Sequence, residues 1–482
     1  MLKNYTAYDA LGLAERVRAG KTTPDELLDS ALEAAAQVEA RIHALCNTHE
    51  AAARAAIKAG LPAGSFTGVP FLLKDLSAVA RNFPMSSGSR FFEGTEGSHD
   101  TELVTRLRKS GLVIFGRTAT PEMGISISTE AEVYGHPTAN PWNTGYSAGG
   151  SSGGSGAAVA AGIVPMAHGS DGAGSIRIPA SCCGILGLKP SRARLPSGPI
   201  LGEGWGGLLT EGVLCRSVRD CAAFLDATHG PDTGAPYYAL PFDASYGEAI
   251  GKKPRPLKIA YLKTTFDQRP IHPDVARTVE QTAELCRGLG HTVTEDSPAD
   301  FDFTGMLASF MKVVACGVAM AIEARIRQLG REPGPDELEP STRGAWVYSK
   351  DLRGPDYLQA VTELHRISRG VARFFESYDI LLLPVLAEPP AILGRFRMNN
   401  PDFLDYRMGE KGIASYSAFT PLANMTGQPA ISVPLFRSSD NLPIGSQFIG
   451  RAGEEHTLLQ LAAQLEKAHP WFNERPPVHA KS

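Results

Sequence analysis

The amino-acid sequence predicts an α/β fold in which helices alternate with buried strands, and three observations carry that expectation. A helix start at Thr23-Pro24-Asp25-Glu26 precedes an Ala/Leu-rich run. Two short apolar runs, 68–75 and 111–116, have the length and flanking glycines of buried strands, and a helical pattern over 101–109 separates them.

Taken in order, the chain opens with helices through much of 6–59. Thr23 is an N-cap candidate, Pro24 suits the first helical position, and Glu26 stands three residues after Thr23, the spacing of a capping box. At Gly68-Val-Pro-Phe-Leu-Leu-Lys74-Asp75 the period changes to a short apolar run, and Gly111-Leu-Val-Ile-Phe-Gly116 is a second one. Residues 137–195 are rich in Gly, Ser and Ala. There Gly149-Gly-Ser-Ser-Gly-Gly-Ser-Gly156 runs into Ala157-Ala-Val-Ala-Ala161, and a flexible linker would not be followed by a helix-forming alanine run, so this is a loop built into a core. Further on, a helix is expected near 274–289 and a helical region over about 305–375. Strands are expected at 380–383 and 430–433, and a strand–helix pair around 444–467. The Pro/Gly-rich stretches 229–256 and 331–356 read as surface excursions. No repeat and no clean linker divides the chain.

Composition narrows the function. Of 482 residues 43% are hydrophobic and 50 more are glycine, which is globular rather than disordered. The balance of 47 Lys+Arg against 51 Asp+Glu leaves −4, too little field to attract nucleic acid or an anionic membrane, so the expected partner is a small molecule. No stretch has the ~18 consecutive apolar residues of a membrane span, and Met1-Leu-Lys-Asn-Tyr lacks a secretory pattern, so the expected location is cytoplasmic. The seven cysteines contain no CxxC pair. Neither a disulfide framework nor a structural zinc site is expected, and Cys182 and Cys183 read as packing residues.

Several chemistries compete for the small-residue segments. Ala19-Gly20-Lys21-Thr22 resembles the end of a P-loop, but Glu15 stands where the pattern requires glycine. There is no HExxH. Gly149-Gly-Ser151-Ser-Gly153 fits the G-x-S-x-G elbow of α/β-hydrolases, which makes Ser151 a nucleophile and asks for an acid and a histidine downstream, with His456 and His479 available. A second turn, Gly169-Ser-Asp171-Gly172-Ala173-Gly174-Ser175, ends in another serine. Backbone N–H groups freed by such a turn converge on one point, as an oxyanion requires, and the serine after it is placed to attack a carbonyl. Serine needs a base. Lys74, behind Pro70-Phe-Leu-Leu73, qualifies if desolvation leaves its amine partly neutral.

Four ordered motifs now coincide. They are Gly68-Val-Pro-Phe-Leu-Leu-Lys-Asp-Leu76, Gly149-Gly-Ser-Ser-Gly-Gly154, Asp171-Gly-Ala-Gly-Ser-Ile-Arg-Ile-Pro179 and Cys183-Gly-Ile-Leu-Gly-Leu-Lys-Pro190. Together they resemble the amidase signature family, as do Thr118-Ala-Thr-Pro-Glu-Met123, Asn140-Pro-Trp-Asn143 and Gly427-Gln-Pro-Ala-Ile-Ser432 and the 24-residue separation of Ser151 and Ser175. The resemblance extends over most of the chain. It implies a single domain over 1–482 with a twisted mixed β-sheet sandwiched between α-helices: a helical region about 1–60, a catalytic core about 61–195, a variable region about 196–375, and C-terminal strands and helix about 376–475.

The resemblance also implies an amidase, a hydrolase of carbon–nitrogen bonds other than peptide bonds, with a Ser–cis-Ser–Lys triad. Ser175 is the nucleophile, Ser151 the relay behind a cis peptide, and Lys74 the base. The N–H groups of Gly172, Ala173, Gly174 and Ser175 form the oxyanion hole, and no metal or organic cofactor is needed. Ser152, Asp171 and Arg177 are expected behind the site, the last two holding the turn through charge-assisted hydrogen bonds. His168 is expected as a buried packing or hydrogen-bonding residue. Trp205, Trp346 and Phe310 are as well explained by core filling as by lining a pocket. Ala173-Gly174 replaces the commoner pair of glycines before the nucleophile. In this the segment resembles nylon-oligomer (6-aminohexanoate cyclic dimer) hydrolases and aryl- and urethane-cleaving amidases more than amidotransferase subunits. The expected substrates are carboxamides, anilides, cyclic amide oligomers or carbamates, acted on by a monomer or homodimer. The alternatives are an amidotransferase A subunit and an α/β-hydrolase esterase built on Ser151.

Overall fold

The capping box forms as its spacing predicts. In the computed structural model, which describes residues 2–299 and 301–481, Glu26 N–H donates to Thr23 Oγ1 at 3.2 Å and Thr23 N–H to Glu26 Oε2 at 3.0 Å. Helix α1 (Ala10–Arg18) is followed by α2 (Pro24–Ile42), strand β1 (Leu45–Thr48) and α3 (Glu50–Ala59). β1 was not expected: Leu-Cys-Asn-Thr has no apolar run, and it becomes a strand only by pairing antiparallel with the edge of β3 (Val113–Thr118). The predicted unit follows as β2 (Pro70–Lys74), α4 (Glu102–Lys109) and β3, with β2 and β3 parallel.

The Gly/Ser/Ala segment holds a two-stranded ribbon of β4 (Ala139–Asn140) and β5 (Asn143–Ser147), then α5 (Gly153–Ala160), β6 (Met166–Asp171), α6 (Arg177–Cys183) and β7 (Leu186–Lys189). Beyond it come β8 (Thr210–Cys215), α7 (Val218–Thr228), α8 (Tyr246–Ala249), β9 (Lys258–Tyr261), α9 (Pro273–Gly288) and β10 (Thr292–Glu295). The expected helical region resolves into α10 (Phe303–Leu329), α11 (Pro340–Ser349) and α12 (Gly354–Phe374). The chain ends with β11 (Ile380–Pro384), α13 (Phe403–Met408), α14 (Ile413–Tyr416), α15 (Pro421–Thr426), β12 (Ala430–Arg437), β13 (Pro443–Gly450) and α16 (Glu455–Ala468). The reading of 331–356 as a surface excursion is corrected by α11, which buries Ala345 and Trp346. Pro340 starts that helix at its first position rather than breaking one.

Eleven strands form one mixed sheet in the order β1-β3-β2-β6-β8-β7-β12-β13-β11-β9-β10. Its two faces follow the period of two. Ile380 and Leu382 of β11 pack into a core with α9 and α16, while Leu381 and Leu383 face a second core with α10, α11 and α12. The sheet is therefore sandwiched between helices, as expected. Helix α10 is long and apolar enough by composition to cross a membrane, yet 61% of its apolar window is buried within the protein, and it packs as a core helix of the second layer. Strands β2 and β6 are parallel neighbours, Leu72 opposite Ala167, so their carboxyl ends open on the same side. In α/β sheets that edge is where ligands bind.

Candidate active site

Lys74 is the last residue of β2 and is fully buried. Arg117 of β3, itself buried, donates from Nη1 to Lys74 O at 2.8 Å and from Nη2 to Ala78 O at 3.0 Å, fixing the chain as it leaves the strand. Lys74 Nζ lies 2.6 Å from Ser151 Oγ and 3.0 Å from Ser170 Oγ. Burial is the dominant influence on this amine and brings it down to about 7, against the opposing attraction of Glu211 and Asp171. A second buried lysine, Lys189, is also brought down to about 7 by burial, but its Nζ bonds Pro190 O at 2.8 Å. Only geometry separates the two.

Ser151 sits at the entry to α5, 2% exposed, after a cis Gly150–Ser151 peptide. Thr129 clamps this loop, its Oγ1 donating to Gly149 O at 3.0 Å and accepting from Gly153 N–H at 3.2 Å. Glycine is required at 150 because a Cβ there would lie 2.7 Å from the backbone at Ile127 and Ser128. Ser152 N–H donates to Ser175 O at 3.2 Å and ties the two serine loops together. The Ser152 hydroxyl donates to Ser170 O at 3.3 Å.

The second turn is wound around Asp171. Its carboxylate accepts from Gly174 N–H at 2.6 Å, from Ile176 N–H at 3.1 Å, and from Arg177 Nε and Nη2 at 3.0 and 2.9 Å. Although burial alone would raise it, Arg177 holds this carboxyl well below the usual carboxylate range. Arg177 in turn donates to Thr420 O, Gln447 Oε1 and Asn424 Oδ1, which ties the turn to the C-terminal segments. One expectation is corrected. The Gly174 N–H is already committed to Asp171 and is no free oxyanion donor. Gly174 has another role: its φ of +127° is left-handed territory, and a Cβ there would collide with the Thr420 side chain. The N–H groups of Gly172, Ala173 and Ser175 have no partner among the described residues, and neither does the Ser175 hydroxyl. Ser175 and Ala173 are half-exposed, unlike Ser151.

His168 is buried and hydrogen-bonded. Its Nδ1 accepts from Lys74 N–H at 3.3 Å, and its Nε2 lies 2.8 Å from Glu211 Oε2. Phe310 and Trp346 are core residues, whereas Trp205 is half-buried with its ring against Gly172, where a Cβ would sit 2.8 Å from Cζ3. Burial pushes the Cys182 thiol up to about 12, as suits an inert packing residue. The esterase alternative loses its histidine: His456 stacks on Phe242 and His479 lies beside Gly162, while Ser151 is engaged by a lysine. Ser170, Glu211, Thr420 and Asn424 were missed. Ser170 had one available signal, lying two residues after His168 and so on the same face of its strand. The other three come from distant segments with no local mark.

The Amidase family model matches residues 25–459. A 6-aminohexanoate-cyclic-dimer hydrolase of Paenarthrobacter ureafaciens is 37% identical over 479 residues, spanning 98% of this chain and 96% of the relative. The structure of a 6-aminohexanoate cyclic dimer hydrolase complexed with substrate superposes with a TM-score of 0.92 at 35% identity, covering 98% of this chain and 99% of that one. A bacterial aryl acylamidase of the amidase signature family superposes at 0.85 with 26% identity, over 96% of each chain. By family model, by end-to-end relatives and by fold alike, the chain belongs to the amidase signature family and is an amidase, a hydrolase of carbon–nitrogen bonds.

Proposed function

We propose that this amidase hydrolyses neutral carboxamides, cyclic amides of the 6-aminohexanoate type among them, through a Ser175–Ser151–Lys74 relay. The observation that carries the reading is the buried 2.6 Å contact between Lys74 Nζ and Ser151 Oγ, on a loop tied to Ser175. Neutral Lys74 donates one N–H to Ser170 and turns its lone pair to Ser151. As Ser175 Oγ bonds to the carbonyl carbon, its proton passes to Ser151 Oγ and the Ser151 proton passes to Lys74. The C=O electron pair becomes an oxyanion facing the N–H groups of Gly172, Ala173 and Ser175, where each donor is worth about 10²–10³ in rate. Collapse breaks the C–N bond, and the departing nitrogen takes a proton back from Lys74 through Ser151. Water then cleaves the acyl-enzyme by the same relay.

The inclusion of cyclic amides is supported by the relative that aligns from end to end, and by the solved structure of a 6-aminohexanoate cyclic dimer hydrolase. The substrates are small molecules and the enzyme works in the cytoplasm as a monomer or homodimer. All seven cysteines are free, which suits a reducing compartment. A panel of a cyclic amide dimer, a linear amide, an anilide, an aryl carbamate and glutamine tests the reading. Turnover of the amides with little on glutamine supports it. Glutamine as the best substrate would move the chain to the ammonia-releasing amidotransferase role.

A further inference from the structure

The lysine amine is not alone in its pocket. The main-chain N–H of Lys74 donates to His168 Nδ1, which assigns the ring proton to Nε2, and Nε2 in turn faces Glu211 Oε2 at 2.8 Å. The imidazole is fully buried and the Glu211 side chain 14% exposed, and Glu211 of β8 stands opposite Ser170 of β6, whose hydroxyl lies 3.0 Å from the dry Lys74 amine. Glu211 also lines a pocket of about 290 Å³ together with Ile200, Leu201 and Thr210.

We propose that Glu211, held through His168, is a positioning residue that stabilises the protonated form of Lys74 as it takes the serine proton during acylation. The proposal rests on Lys74 being the base. The charged groups around the amine are few. Arg117 on β3 is committed to Lys74 O and Ala78 O, Asp75 beyond β2 accepts from Ser86 and Tyr134, and Asp171 on β6 is paired with Arg177. Helix α5 faces the site with only Gly, Ser, Ala and Val. Among the described residues Glu211 on β8 pairs with no lysine or arginine, its partner being the His168 ring, and its attraction is the largest among those opposing the burial of the amine. Each acylation turns the neutral amine into an ammonium and each amine departure reverses it. A fixed negative charge favours the ammonium state alone, so it assists proton uptake at the stage where charge develops.

The test is Glu211→Gln, which keeps an oxygen acceptor for the His168 Nε2–H and removes the charge. The acid limb of kcat/KM on an amide substrate should move about one pH unit lower, because an ammonium without its counter-charge gives up its proton more readily, and the plateau should fall about tenfold. A role confined to holding His168 would leave that limb in place. Should the glutamine variant not fold, Glu211→Thr, a neutral strand-former, carries the same measurement. A folded variant with an unmoved limb overturns the assignment. Lys74→Met, assayed alongside, separates the two readings. If it is inactive while the Glu211 variant is unshifted, only the Glu211 role fails. If it remains active, the lysine base fails as well.

Discussion

Replacing Lys74 by methionine tests the base by two independent readouts. The ammonium, ordinarily near 10.5, is brought to about 7 by burial, so its pKa is lower in the folded chain than in the unfolded one. Between pH 7 and 10.5 the unfolded chain holds a proton that the folded one has lost, and stability rises with pH through that window. At 1.36 kcal/mol per unit, the buried amine costs the wild type about 5 kcal/mol below pH 7, about 2 at pH 9, and nothing above 10.5. Methionine carries no such cost. It leaves the Ser151 and Ser170 hydroxyls without their lysine partner, a loss of about 1–3 kcal/mol each, but this offset does not change with pH. Lys189, equally shifted, acts in both proteins and cancels.

Urea unfolding of both proteins at pH 7, 8 and 9 should therefore show the stability of Lys74→Met relative to wild type falling by about 2 kcal/mol across the range. Amide turnover at pH 8 should fall by at least about 10³-fold, within the range of lost general-base catalysis. A stability difference that stays constant with pH would mean the amine is not held neutral. Turnover near wild type would mean another group takes the serine proton. Either result refutes the reasoning.

Three further outcomes are expected. Ser175→Ala should abolish both turnover and labelling by a sulfonyl fluoride, with an unchanged unfolding midpoint because the half-exposed hydroxyl has no intramolecular partner among the described residues; labelling and intact-mass measurement check this. Arg177→Met leaves the fully buried Asp171 carboxylate without its ion pair and should lower unfolding free energy by about 3–5 kcal/mol, measured in urea. Gly174→Ala should reduce kcat at least about tenfold and lower the melting temperature, because the residue holds a left-handed φ against Thr420; Gly145→Ala, at an exposed ribbon position, serves as the control in the same calorimetric scan.

Much of the architecture follows from local pattern. A capping box, glycine-bounded apolar runs and an alanine run after a glycine loop are decided by neighbours within a few residues, which is why α2, β2, β3 and α5 stand where the sequence places them. β1, β8 and β10 are illegible for the opposite reason: short and partly polar, they are strands because a partner edge satisfies their backbone groups. The two serine turns were legible because their backbone needs small residues in order, and glycine leaves a mark that side-chain chemistry does not.

Local residue order settles which residues carry reactive groups and which loops are able to present them. Packing of distant segments settles which of those groups meet. Lys74 and Ser151 are 77 residues apart and touch because β6 lies beside β2. Lys74 and Lys189 are alike in sequence context and in burial, and only the position of each Nζ makes one a serine's partner. The same holds for the Gly174 amide, which a carboxylate claims, and for Glu211, which meets His168 from the neighbouring strand β8. Dryness, charge and contact at an amine are sums over every chain segment that packs against it, and strand order sets that sum, which no local stretch of residues encodes.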